Sequence, residues 1–224
     1  ADYGLPPEGN ANYAWILHML SKLRPERGVA GFLLANGALG DGDAASIRQK
    51  LIEADKVEAI VVLPRELFYT TDISVTLWIL NQNKRGGRWH DRKLRPRQGE
   101  VLFMDLRSWT ENPVKGEQKK KVMLTEAQVK RAVAIYHGWQ AEGTDGTNYA
   151  EPELYRSVGI DELRANDFTL VPSRYIEFVD RDSHIDYQQV LSQTAQSVET
   201  LLQRQEQNDK NLRKALKQLG YDCK

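Results

Sequence analysis

The chain has 224 residues, of which 41% are hydrophobic and 28% charged, with 31 basic side chains balancing 31 acidic ones and a single cysteine. At about 150 residues per domain that length makes one or two domains with a real core. No apolar run approaches the roughly 18 residues that cross a bilayer, so no membrane role is expected. Cys223 has no partner for an internal disulfide and no basic-then-apolar leader opens the chain. A disulfide scaffold and a cysteine-rich zinc module are thereby excluded, and a reducing, cytoplasmic setting is expected. The opening, Ala1 to Pro7, reads as a loop met in mid-chain, and the expectation is a fragment.

The first element is a helix: Trp15, Ile16, Met19, Leu20 and Leu23 recur at helical spacing, Asn10 or Asn12 can cap it, and Pro25 with Gly28 ends it. The continuous apolar run Val29 to Ala35 has the pattern of a strand buried on both faces. Ala44 to Ala54 reads as a helix with Ile47, Leu51 and Ile52 inward, and Val57 to Leu63 as a second buried strand. Strand, helix and strand in that order imply a parallel sheet with a right-handed crossover. Ile73 to Leu80, rich in β-branched and aromatic residues, predicts a third strand and Glu100 to Leu106 another. Thr125 and Gln128 form a capping box that opens a helix running through Tyr136 and Trp139.

The expected fold class is therefore α/β. The sheet layer is expected to end near 141, with a Gly/Thr/Asn/Pro linker and a small mixed segment over 142–180 and a helical tail over 181–224. In that tail, from about Ile185 to Leu219, one heptad position holds Leu191, Val198, Gln205, Leu212 and Leu219, and another holds Thr194, Leu201, Asn208 and Ala215. The seam is too polar for a self-sufficient coiled coil. Two readings stay open: a helix lying across its own domain, or one docking on helices of another subunit.

Zero net charge conceals a local excess. Residues 84–121 carry 12 basic and 5 acidic groups, while 1–83 carry 7 and 10 and 122–179 carry 5 and 9. Within the excess, Lys84, Arg85, Arg88, Arg92, Lys93, Arg95 and Arg97 crowd into 14 residues beside Trp89, His90 and two glycines. Such a loop can neutralise phosphates, arginine pairing them with its fork, so these seven are candidate DNA-binding residues; a merely solvated charged loop is the bland alternative. Lys119-Lys120-Lys121 extends the island.

The glycine-rich turn Asn36 to Asp43 follows a strand and precedes a helix, but its spacing is G-x-x-G-x-G and Asp41 and Asp43 would repel an anion. A tight solvent-exposed turn explains it better than a dinucleotide site. There is no P-loop, no G-x-S-x-G elbow and no H-E-x-x-H, and His18, His90, His137 and His184 are scattered, so no metal site is expected. Phe68 and Tyr69 sit beyond the carboxyl end of a predicted strand, where open α/β sheets bind ligands, although composition alone favours packing for a loop Phe.

Read together, these segments resemble the carboxyl-terminal half of the methylation subunit of type I restriction-modification systems, an N6-adenine DNA methyltransferase. The resemblance runs through Asn10 to Leu20, Gly31 to Leu39, Ile47 to Glu53, Val57 to Leu63, Leu67 to Thr71 and the strand to Asn81. It resumes at Val101 to Asp105, Leu124-Thr125, Tyr136, Asn166 to Phe168 and Ser173 to Ile176, and continues into the closing helix. It implies half of a Rossmann-like sheet and transfer of a methyl group from S-adenosylmethionine to an adenine flipped out of double-stranded DNA. It also implies a base-stacking role for Phe68 with Tyr69 beside it, a specificity subunit docked on the closing helix, and a restriction subunit in the full complex.

The family's cofactor-binding and Asn-Pro-Pro-aromatic motifs do not occur in this chain. Asn112-Pro113 is followed by Val114, and Pro6-Pro7 lacks the preceding Asn. No catalytic residue is assigned and the isolated chain is expected to be inactive. The alternative is a non-catalytic DNA-binding or subunit-assembly module.

Overall fold

The computed structural model describes residues 2–68, 70–110, 122–179 and 187–218, with the side chain of Val190 excepted. Tyr69, Lys119-Lys120-Lys121, Asn112-Pro113, Cys223 and the outer ends of the closing helix, Ile185 and Leu219, lie outside the described residues. Two units result, Ala1–Phe178 and Val179–Lys224.

Helix α1 (Asn12–Lys22) opens the first unit, followed by strand β1 (Val29–Ala35), a 3-10 turn (Asn36–Leu39), helix α2 (Ala45–Glu53) and strand β2 (Val57–Val62). Strand β3 (Val75–Asn81), a small hairpin of β4 (Gly87–Trp89) and β5 (Arg92–Leu94), and strand β6 (Glu100–Asp105) come next. Helix α3 (Glu126–Gln140), strands β7 (Ala150–Glu151) and β8 (Tyr155–Gly159) and helix α4 (Ile160–Ala165) complete it. The sheet order is β1-β3-β2-β6-β8-β7.

That order corrects two expectations. β1 and β2 are parallel in direction but not neighbours, because β3 lies antiparallel between them, and among the described residues only β2 and β6 form a parallel pair. The sheet is mixed. β1, at its edge, alternates between exposed and half-buried residues instead of being covered on both faces. β2 is the strand whose every residue is buried, since it has neighbours on both edges and core on both faces.

A bulge in β2 sets which side chain faces which core. Val57 pairs with Leu80 and Ala59 with Ile79, which leaves Glu58 as the extra residue. Beyond a bulge the alternation of faces shifts by one. Val57, Ile60 and Val62 thus share the larger core with Tyr13, Ile16 and Leu20 of α1, Ile47 and Leu51 of α2, and Trp78. Ala59 and Val61 join the second core under α3, with Leu102, Met104, Ile135 and Trp139. Trp78 is fully buried, and Tyr13 meets it edge to face at 6.2 Å.

Local chemistry explains the helix ends. The Thr125 hydroxyl accepts the Gln128 amide at 3.1 Å and the Gln128 side chain accepts the Thr125 amide at 2.9 Å, the reciprocal capping box expected. At α1 the Asn10 side chain accepts the Asn12 amide at 3.0 Å. Trp15, expected inward, stands 60% exposed and is met edge-on by His18; Tyr13 takes the inward place instead.

The chain does not leave the sheet at 141. β8 pairs with β6 over five residue pairs and α4 sends Leu163 into the larger core, so the segment expected to be a linker and small mixed segment completes the sheet. The second unit contains helix α5 (Tyr187–Gln218), about 48 Å long at 1.5 Å per residue. Leu191, Val198, Leu201 and Leu212 of its expected seam are exposed. Among the described residues no helix is long and apolar enough to cross a membrane.

Candidate functional site

The sequence candidates fall at opposite ends of the sheet. β1, β2 and β6 run the same way, so the loop after β2, carrying Phe68, lies at their carboxyl end. The segment linking β3 to β6, carrying the basic island, lies at their amino end. Six residues of strand separate the ends by about 20 Å.

At the carboxyl end, Phe68 is half-buried and leans on the second core. A tight turn shapes its loop: Glu66 adopts a left-handed conformation at φ 60°, the Thr71 amide donates to the Phe68 carbonyl at 3.4 Å, and the Arg65 Nε donates to the Asp72 carbonyl at 3.2 Å. The Ser74 hydroxyl donates to the Leu63 carbonyl and ties the loop's two ends together. The ring is therefore held partly packed and partly accessible, a position compatible with packing and with stacking on a ligand.

The nearby turn after β1 is not open to solvent throughout, as expected from its glycines. Ala38 and Leu39 are buried, the Tyr13 hydroxyl donates to the Ala38 carbonyl at 2.8 Å, and the Leu170 amide donates to the Leu39 carbonyl at 2.9 Å. The Asp41 carboxylate accepts the Asn10 side-chain amide and the Asp43 backbone amide. A carboxylate and carbonyls already engaged in this way leave no cradle there for S-adenosylmethionine.

At the amino end the island is no loose loop. Gly86, at φ 86°, lets the chain cross so closely that a Cβ would meet the Leu94 carbonyl oxygen at 2.7 Å. β4 and β5 then pair, and β5 docks on the end of α3 through the Arg95 amide and the Gln140 carbonyl at 2.9 Å.

Three of the seven candidate cations are consumed inside the fold, which corrects their assignment to DNA. Lys84 reaches Asp55 at 2.6 Å and donates to the Val57 and Glu100 carbonyls. Arg95 forks onto both Glu100 oxygens at 2.9 and 2.7 Å and donates to the Trp139 carbonyl at the end of α3. Arg97, wholly buried, meets the Glu58 carboxylate at 3.0 Å; Gln140 and Asn81 also donate to that carboxylate.

These interior charges shape the local acidity. Burial lowers the Lys84 ammonium, with Asp55 and Glu58 working against it. Burial would raise the Glu100 carboxyl, but the Arg95 fork and the Ser157 hydroxyl together bring it below the ordinary value. Burial and then the Glu58 carboxylate hold the Tyr136 phenol far above its usual range.

The other four sit at the surface. Arg85, Arg88 and Lys93 are exposed and Arg92 is half-buried. Lys93 pairs loosely with Glu142 at 3.3 Å, and Arg92 donates to the Gln140 side chain at 2.8 Å. Opposite them stands a turn that sequence reading missed. Arg24 and Arg27, on a turn closed by the Gly28 amide on the Arg24 carbonyl at 2.8 Å, share one concavity with Arg88, Trp89 and His90. Nothing local pointed to them, because about 60 residues of chain separate the two walls.

Comparison with known proteins gives this fold a class. It matches the methyltransferase subunit of a type I restriction-modification system from Streptococcus thermophilus with a TM-score of 0.59 and 25% identity, over 77% of this chain and 32% of that one. In fold it also resembles the EcoKI M protein, with a TM-score of 0.53 and 19% identity over 96% of this chain and 46% of that one.

The sequence model of the N-6 DNA methylase family matches residues 1–183, and the chain belongs to that family. The HindI methylase subunit of Haemophilus influenzae is 32% identical over 98% of this chain and 46% of its own length. The MjaIX methylase subunit of Methanocaldococcus jannaschii is 32% identical over 97% and 36% respectively. The chain thus spans less than half the length of these curated relatives.

Proposed function

We propose that this chain is the carboxyl-terminal part of a site-specific DNA adenine-N6 methyltransferase of a type I restriction-modification system, working in the cytoplasm. The complete enzyme transfers a methyl group from S-adenosylmethionine to the exocyclic amine of an adenine swung out of the duplex. The observation that carries the reading is the half-buried Phe68 on the loop beyond β2, in a chain whose family match spans residues 1–183. A base removed from its stack loses both neighbours, and an aromatic ring on a braced loop replaces one of them. Tyr69, the next residue in the chain, is proposed to share the base-stacking role.

The turn at Asn36 to Asp43, with Asp41 already accepting from Asn10 and from the Asp43 amide, does not fit S-adenosylmethionine. Alone, the chain is inactive in this reading, and its complement brings the cofactor-binding and catalytic motifs. The specificity subunit docks on α5, whose seam residues Leu191, Val198, Leu201 and Leu212 are exposed; that subunit and a restriction subunit complete the assembly around double-stranded DNA. Of the seven candidates at 84–97, Arg85, Arg88, Arg92 and Lys93 are the cations available to phosphates.

The test is transfer of labelled methyl groups to duplex DNA. The chain alone should transfer none, and addition of a polypeptide carrying the missing motifs together with the specificity subunit should restore activity. Methylation by the chain alone overturns the reading. In the restored enzyme Phe68→Ala should lower kcat/KM by about 5- to 150-fold, from a stacking contribution of about 1–3 kcal/mol, and Phe68→Tyr should recover most of it.

A non-catalytic DNA-binding or assembly module is the second reading, favoured by the exposed seam of α5. Charge reversal at Arg85, Arg88, Arg92 and Lys93 separates the two, since it abolishes DNA binding in the module reading but only weakens a reconstituted enzyme.

A further inference from the structure

Three depressions adjoin at the amino end of the sheet. One of about 230 Å³ lies behind the hairpin over Asn81 and Gln140. A second of about 670 Å³ opens between the Arg24–Arg27 turn and Trp89. A third of about 310 Å³ leads past Lys56 to Arg85. Glu26 and Asn83 line all three, so they form one continuous groove.

Its charge is one-sided. Arg24, Arg27, Lys56, Arg85, Arg88 and Arg92 line it against the single carboxylate of Glu26. The cations buried just beneath, Lys84, Arg95 and Arg97, each have an acid. By contrast, none of the six groove cations forms an ion pair with an acid among the described residues. Trp89, 43% exposed, adds a flat apolar face to the same wall, with His90 standing edge-on to it at 5.4 Å.

We propose that this groove binds the backbone of a single DNA strand, with an unpaired base lying on the Trp89 ring. A row of unneutralised cations along a groove, interleaved with an accessible aromatic, is the combination by which proteins hold single strands without reading their sequence. Six cations spread over three depressions exceed what one mononucleotide can occupy, whereas a strand offers a phosphate at every step. A base inside a duplex hides both faces, so the ring is of use only to an unpaired one. The groove lies at the end of the sheet away from Phe68, so the strand held there is a stretch of DNA other than the target base. The proposal rests on the DNA-binding reading for its class of ligand and not on methyl transfer.

The test measures binding of the full 224-residue chain to a labelled, mixed-sequence single strand by fluorescence anisotropy over a range of salt. Arg24→Glu with Arg27→Glu should weaken binding at least tenfold and flatten the salt dependence, as Arg85→Glu with Arg88→Glu does. Lys130→Glu with Arg164→Glu, the same change of charge at exposed positions outside the groove, should leave it unchanged. Trp89→Ala should cost about 5- to 150-fold with the salt dependence retained.

Thermal melting confirms that each variant is folded, with Arg24→Gln and Arg27→Gln replacing the reversals if they are not. If the Arg24 and Arg27 changes bind like wild type while the hairpin changes do not, the groove is wrong and hairpin contact with DNA survives. If wild type binds neither a single strand nor a duplex, both ideas fall. If a duplex of the same sequence displaces the single strand, or a mononucleotide does so at equal phosphate concentration, the strand-and-stack proposal is overturned.

Discussion

Glu58 is the residue on which the amino end of the sheet depends. The bulge turns its carboxylate into the interior, where Arg97, Asn81 and Gln140 all donate to it. A buried pair adds little net stability over apolar substitutes, but one partner left alone is costly. Arg97→Met should therefore destabilise the chain by about 3–5 kcal/mol in urea unfolding, and Glu58→Met with Arg97→Met should regain part of that loss. The density of cations at 84–97 was legible in the sequence. Which of them are structural was not, because the acids that claim Lys84 and Arg97 lie 29 and 39 positions upstream and become neighbours only when β2 pairs with β3 and β6. Glu100 carries a pH prediction of definite sign. Its folded carboxyl titrates below the ordinary 4.5, so the unfolded chain takes up its proton first. The stability it contributes is full above 4.5 and is lost as pH falls through the lower folded value. Glu100→Gln should flatten the fall in melting temperature over that acid range, and an unchanged slope would remove Glu100 from the account.

At the scale of elements, helices were read more faithfully than strand neighbours. The capping box of α3 is a local pattern, and its two hydrogen bonds form as the spacing required; Thr125→Ala should cost about 1 kcal/mol, measurable as a lower unfolding midpoint. β1 shows the opposite case. Val29 to Ala35 is as apolar as a central strand, yet Val29 and Leu33 are 45% and 44% exposed, because a strand's burial depends on which strands and helices flank it. Periodicity cannot distinguish a strand covered by its own chain from one to be covered by something else. Nor could it show that β3 inserts between β1 and β2, since strand order is decided by long-range pairing and not by any residue within a strand. The half-buried Phe68 lies between the two extremes: its position beyond a strand end was readable, while its packing against the second core was not.

Across the whole first unit, the consequence is a sheet with unequal faces and unequal edges. One face is covered by α1, α2 and α4, whereas α3 covers the other over β2, β6 and β8, so Val75, Leu77 and Ile79 of β3 are half-buried and Leu33 of β1 lies open. Among the described residues β1 pairs on one side only, with β3. An unpaired strand edge beside uncovered apolar residues is a site for another strand and a hazard for association. Opening free energies within a domain track such differences in burial and pairing. Amide hydrogen exchange on the chain alone should therefore show β2 and β6 most protected, while in β1 the amides not bonded to β3 exchange orders of magnitude faster. Addition of the complementing polypeptide should slow those outward amides selectively if it supplies the strand that lies beside β1, and should leave the β2 amides as they were. Outward amides of β1 already as slow as those of β2 in the chain alone would mean that the edge is occupied in solution, and a sedimentation measurement would then assign the occupant to a second copy.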